Sequence, residues 1–147
     1  MLEDSENNSN FAWFCLRSQL KHERIAAAHL RRQCQLEVFV PFIRFQRATR
    51  YGPVWVTEAL FPSYIFARFD WANSLRRVYY SPGVCEVVHF GCHWPIVPEK
   101  AIEELRFAFG PHEIHVIPAE MSPGDHVQIA GGCFHGLHAV CVAPHAK

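Results

Sequence analysis

The chain has 147 residues, with 14 Lys+Arg against 14 Asp+Glu, 10 His, 6 Cys, 50% apolar residues and 19% charged. That length suits one ordinary domain, or a domain of about 100 residues with a small appendage, and the apolar content excludes global disorder. No uninterrupted apolar stretch approaches the roughly 18 residues of a membrane span. The acidic start (Glu3, Asp4, Glu6) is the wrong chemistry for a secretory signal. A cytoplasmic protein with no membrane partner is expected.

Residues 1–10 read as a polar leader. Phe11–Ser18 is a continuous apolar run and predicts a buried strand. Lys21–Gln35 has the period of a helix, with Ala26, Ala27, Leu30 and Cys34 on one face and Arg24, Arg31, Arg32 and Gln35 on the other. Glu37–Phe45 predicts a strand, marked as an edge or bulge by Pro41. Arg44–Arg50 is basic, and Tyr51-Gly52-Pro53 turns the chain. Val54–Leu60 and Ser63–Phe69 are strands around Pro62. Asp70 is placed to cap a short helix through Tyr79, ended by Ser81-Pro82-Gly83. Val84–Phe90 is a strand, and Pro98 opens a helix to Phe109 with Ile102, Leu105 and Phe109 inward. Residues 110–122 read as a linker. The order β-α-β-β-β-α-β-α predicts an α+β fold, a mainly antiparallel four-stranded sheet packed with helices.

The zero net charge hides an asymmetry. Residues 11–53 carry eight bases and two acids, whereas residues 99–147 carry six acids and three bases. A basic N-terminal third suggests one face for a polyanion; a merely solvated surface is the plain alternative. The six cysteines form no Cys-x-x-Cys pair and read as reduced thiols. His89-x-x-Cys92-His93 and Cys133-x-His135-x-x-His138-x-x-Cys141 invite a zinc reading. Their spacing matches no familiar knuckle, so no metal and no cofactor are expected. No Gly-x-Ser-x-Gly elbow, phosphate-binding glycine loop or His-Glu-x-x-His occurs, and His112-Glu113-x-His115 falls in the linker, so no enzyme is expected.

The most informative run is Leu60-Phe61-Pro62-Ser63-Tyr64-Ile65-Phe66-Ala67-Arg68-Phe69-Asp70, followed by Ser81-Pro82-Gly83-Val84 and Val88-His89-Phe90-Gly91. With Trp13-Phe14 upstream and Val97-Pro98-Glu99 downstream, residues 11–109 resemble the N-terminal domain of the NusG family of transcription elongation factors. Pro123-Gly124-Asp125-His126-Val127-Gln128-Ile129 and Gly132–Leu137 are similar to the first half of that family's KOW motif, with Val127 and Ile129 inward. Residues 123–147 supply about two strands, too few to close the five-stranded KOW barrel. The segment is therefore expected to be a truncated piece or a naturally shortened form, and the resemblance leaves open the ribosome and termination-helicase contacts of a complete KOW domain.

The resemblance implies a monomer that binds RNA polymerase through a hydrophobic depression seated on the clamp helices of the largest subunit. The matching positions are Phe61, Tyr64 and Phe66, with Trp13 at the sheet edge. Tyr64 and Phe66 are two apart on a strand and share a face. Plain core packing is the alternative for both Trp13 and Tyr64. RfaH-type paralogues in the family also read the single-stranded non-template DNA on the basic helix. That surface maps to His29 and Arg32, with Lys21, Arg24 and Arg31 alongside. Arg76 and Arg77 lie where paralogues touch the polymerase lobe opposite the clamp, but the stretch here is more basic than theirs; a solvated helix face is the alternative. A freestanding nucleic-acid-binding module using the basic helix alone is the competing function.

Overall fold

A computed structural model describes residues 10–118, 124–129, 132–140 and 142. In chain order the elements are β1 (Phe11–Ser18), α1 (Glu23–Gln33), β2 (Glu37–Phe39), β3 (Phe42–Thr49), β4 (Gly52–Ala59), β5 (Tyr64–Asp70), α2 (Trp71–Tyr79), β6 (Val84–Val87), β7 (Ile96–Val97), α3 (Glu99–Phe109), β8 (Ile114–Val116), β9 (His126–Gln128) and β10 (His138–Val140). The chain divides into two units, residues 1–117 and 118–147.

The first unit is built on a sheet of order β2-β5-β1-β6, with β7 also paired to β1. All its pairings are antiparallel. A strand's period of two splits its side chains between two faces. Phe14, Leu16, Val38, Ile65, Ala67 and Phe69 point one way and bury against Ala26, Ala27 and Leu30 of α1 and Val78 of α2. Trp13, Phe39 and Phe66 point the other way, against Ile102 and Leu105 of α3. The α+β fold is thus a sheet with helices on both faces.

Local chemistry explains the element ends. The Asp70 carboxylate accepts the Ala72 amide at 3.0 Å and caps α2. The Ser81 hydroxyl donates to the Arg77 carbonyl at 2.7 Å, closing the same helix. Gly83 follows with φ +86°, and a Cβ there would lie 3.1 Å from the Ala26 Cβ. The loop after α2 therefore touches α1 as closely as backbone allows.

Two departures from the sequence reading stand out. The single strand expected over Glu37–Phe45 is two, because Val40 and Pro41 interrupt the ladder and the chain leaves one sheet for another. The second sheet has order β4-β3-β8, with β8 parallel to β3. Residues 114–116, expected as linker, form that β8 strand; three residues are too few for a visible alternation.

In the second unit β9 and β10 pair antiparallel, and Val127 and Ile129 are half-buried while His126 and Gln128 are exposed. The leader expected over residues 1–10 lies outside the described residues except for Asn10, as do Pro123, residues 119–122 and Cys141 of the second Cys/His cluster. Among the described residues no group of three or more His, Cys, Asp or Glu could hold a metal ion.

Substituting Gly83→Ala puts a methyl against Ala26 in a left-handed backbone. The expected loss is about 1–3 kcal/mol of stability, measured by denaturant unfolding. An unchanged midpoint would mean the loop does not seat on α1.

Candidate functional site

The α3-covered face of the sheet is the candidate site, and α3 covers only one end of it. Arg106 of α3 reaches Glu37 of β2 at 2.6 Å, and Arg68 of β5 lies 3.6 Å from both Glu37 and Glu99. The Arg106 guanidinium also sits over the rings of Trp13 (5.0 Å) and Phe39 (5.6 Å). These contacts hold the helix across the Trp13, Phe39 and Arg68 end. Trp13 is 2% exposed. The expectation of an edge residue offered to a partner is corrected for Trp13: its ring is core, because α3 lies on it.

The other end is open. Phe61 is 38% and Tyr64 40% exposed, and Phe66 is half-buried between them and the core. Phe66 stacks on Phe39 at 6.4 Å and takes the Phe61 ring edge-on at 5.8 Å. Tyr64 pairs across the ladder with Arg17, and Arg17 bridges to Glu86 of β6 at 3.0 Å. Cys15, the cross-strand neighbour of Phe66, is half-buried, and burial pushes its thiol up to about 11. The thiol is therefore neutral at ordinary pH, and the floor of the patch is apolar. The sequence reading missed Cys15 and Arg17, although their two-residue spacing from Trp13 was the available signal.

Phe61 is held in place from below. The loop Phe61–Tyr64 closes with the Tyr64 amide on the Phe61 carbonyl at 3.0 Å, which requires Ser63 at φ +68°. The Ser63 amide donates to the buried Glu23 carboxylate at 2.7 Å, and the Ser63 carbonyl accepts the Ser18 amide at 2.7 Å. Glu23, in the first turn of α1, is favourably placed at the helix's positive end. This bond offsets the strain at Ser63 and fixes the aromatic loop to the fold.

The basic helix is less uniform than its sequence. Arg31 donates to the Val38 carbonyl at 2.8 Å and to both Glu113 oxygens at 2.9 Å. It ties α1 to the chain just before β8. Arg24 lies over the Phe42 ring at 4.3 Å with its outer side in solvent. Lys21 and Arg32 are exposed and His29 is half-buried. On α2, Arg77 donates to the Gln33 carbonyl at 3.0 Å, whereas Arg76 lines a cavity of about 420 Å³ with Trp71, Tyr79 and Trp94. The structure thus gathers Phe61, Tyr64 and Phe66 into one patch and leaves His29 and Arg32 on α1, with Lys21 in the turn before it.

The family model described as transcription termination factor nusG matches residues 11–106, well over half of the chain. The chain belongs to the NusG family. Among solved structures it is similar to NusG of Thermotoga maritima, at 17% identity and a TM-score of 0.47, over 90% of this chain and 79% of that one. It is also similar to the MjSpt4:Spt5 complex in conformation A, at 17% identity and a TM-score of 0.42, over 89% of this chain and 76% of that one. Membership in a family of transcription factors agrees with a binding surface as the feature to seek. Among the described residues no helix is long and apolar enough to cross a membrane.

Two substitutions separate fold from surface in this NusG-family domain. Trp13→Ala is expected to cost about 3–5 kcal/mol, and Tyr64→Ala about 1 kcal/mol or less, in denaturant unfolding. Equal losses would place both rings in the core. Glu23→Ala should cost about 1–3 kcal/mol by orphaning the Ser63 amide, and Glu23→Gln less because an acceptor remains. A neutral Glu23→Ala would show that the loop does not depend on that bond.

Proposed function

We propose that this chain is a transcription elongation factor that seats its aromatic patch on the two-helix clamp of the largest RNA polymerase subunit. Phe61, Tyr64 and Phe66 supply the contact. The carrying observation is the partial exposure of Tyr64 on the sheet and of Phe61 in the loop beside it, where Phe61 packs edge-on against Phe66. Rings held by a ladder and a buried carboxylate lose little entropy on docking, which is how interface hot spots work. A factor bound better to the closed clamp than to the open one shifts the population toward the closed, processive state. That reading needs no cofactor and no catalysis, and one copy per polymerase suffices.

Lys21, Arg24, His29 and Arg32 would meet the non-template DNA strand by phosphate attraction and contacts to unpaired bases. Arg31 is left out of this set because Glu113 neutralises it. Arg76 is the better placed of the α2 pair to reach the polymerase lobe opposite the clamp, since Arg77 is bound to α1. The loss of Arg31 also weakens the freestanding nucleic-acid module, which would rest on α1 alone.

Capture of core RNA polymerase on immobilised protein tests the reading. Tyr64→Ala should reduce capture at least tenfold, as expected for a hot-spot aromatic, while its fold is kept. Lys21→Ala with Arg32→Ala should leave capture intact and weaken only retention on non-template DNA. Full capture by Tyr64→Ala, or no capture by the parent chain, would refute clamp docking.

A further inference from the structure

We infer that the β3–β4 hairpin is a second nucleic-acid surface, a track for a single strand that meets α1 only at Arg24 and is separate from the aromatic patch. The ladder pairs Arg44 with Thr57 and Gln46 with Trp55. By the period of two, Phe42, Arg44 and Gln46 therefore share one face with Trp55 and Thr57. The only carboxylate between residues 42 and 59 is Glu58, which sits on the opposite face and is taken up by Arg47 at 2.6 Å. The face of Arg44 and Trp55 thus carries positive charge and no counter-charge of its own.

Phe42 at the base of the ribbon packs against the core, whereas Trp55 and Tyr51 belong to neither core cluster. Trp55 is 47% exposed and Tyr51, at the tip, 86%. Each carries an arginine over one side: Arg44 lies 5.4 Å from the Trp55 centroid and Arg50 4.7 Å from that of Tyr51. A guanidinium beside an open ring is the combination that holds a base and its phosphate together, the ring by stacking and the cation by charge. At its base the ribbon continues into Phe42, over which Arg24 of α1 lies at 4.3 Å. Arg24 at the base, Arg44 on β3 and Arg50 at the tip therefore follow a strand of eight residues, about 27 Å at roughly 3.4 Å per residue.

Ring faces decide the occupant. A duplex presents stacked pairs whose faces are already covered, so it offers only edges and phosphates to a ribbon in its groove. Exposed Trp55 and Tyr51 contribute only if bases are unstacked and free. The ligand is therefore a single-stranded nucleic acid, bound with little regard to sequence. The inference stands on the hairpin and does not require polymerase docking.

Fluorescence anisotropy of the 147-residue chain with labelled 12-mers of oligo-dT, oligo-rU and a DNA duplex tests it. Binding of either single strand above the duplex is expected, and the pair of single strands tells which sugar is preferred. Trp55→Ala and Tyr51→Ala should each weaken that binding about tenfold, with Trp55→Phe restoring most of it. Arg44→Ala with Arg50→Ala should lower the salt slope by about 1.4, or 0.7 for each phosphate no longer neutralised. Lys21→Ala with Arg32→Ala, before and on α1, should leave the losses caused by the hairpin variants in place. The inference fails if no oligomer binds, if the duplex binds as well as the single strands, or if Trp55→Ala and Tyr51→Ala bind like the parent chain. In the last case, loss confined to the α1 variant would return all nucleic-acid binding to that helix.

Discussion

The core and the aromatic patch of the first unit follow from one sheet having two apolar faces and an unequal supply of helix to cover them. One face is sealed by α1 and α2 together, which bury Leu16, Ile65, Ala67 and Phe69 completely. The other has α3 alone. Eleven residues make a rod about 16 Å long and about 10 Å wide. The four strands span about 14 Å between outer axes, and the longest runs about 26 Å. One helix cannot cover that area, so part of an apolar face must stay open. Where α3 lies then decides which aromatics are core and which are surface.

That placement is set by charge as much as by packing. Glu37 collects Arg106 from α3 and Arg68 from β5, and Arg106 lies over Trp13 and Phe39 as well. These side chains are half-exposed, so each pair is worth little by itself. They nevertheless favour one end of the sheet over the other, since Glu37 lies at that end while Glu86 at the open end is taken up by Arg17. The open end keeps Phe61 and Tyr64, with a neutral Cys15 thiol and half-buried Phe66 as its floor. An aromatic surface that is bare but rigid is what a large partner can use without first having to order it.

Much of this was legible in the sequence. Continuous apolar runs and caps located β1, α2 and α3, and the period of two put Tyr64 and Phe66 on one face. The difference between Trp13 and Tyr64 was not legible. Both lie on that face, and they are told apart by where α3 packs, through Ile102 against Trp13 and Arg106 on Glu37, 69 residues apart. Pro41 was legible as an edge or bulge, but the change of sheet there was not, because the apolar run continues through it. The β8 strand was hidden by its brevity, and with it the reason that Glu113 lies beside Arg31.

The same limit applies to the arginines, and here it bears on function. A count along the chain treats Arg24, Arg31 and Arg32 as one basic ridge. In three dimensions a cation is available to a polyanion only if no carboxylate or carbonyl has already claimed it. Arg31 is held by Glu113 and Val38, Arg77 by Gln33 and Arg47 by Glu58. Arg24, Arg44 and Arg50 instead lie over aromatic rings, which orient a guanidinium without cancelling its charge. Positive charge for a nucleic acid is thereby moved from the middle of α1 toward the hairpin. The hairpin that carries it also presents the exposed Trp55 on β4 and Tyr51 in its turn, so charge and stacking surface converge on one element by the folding of the chain.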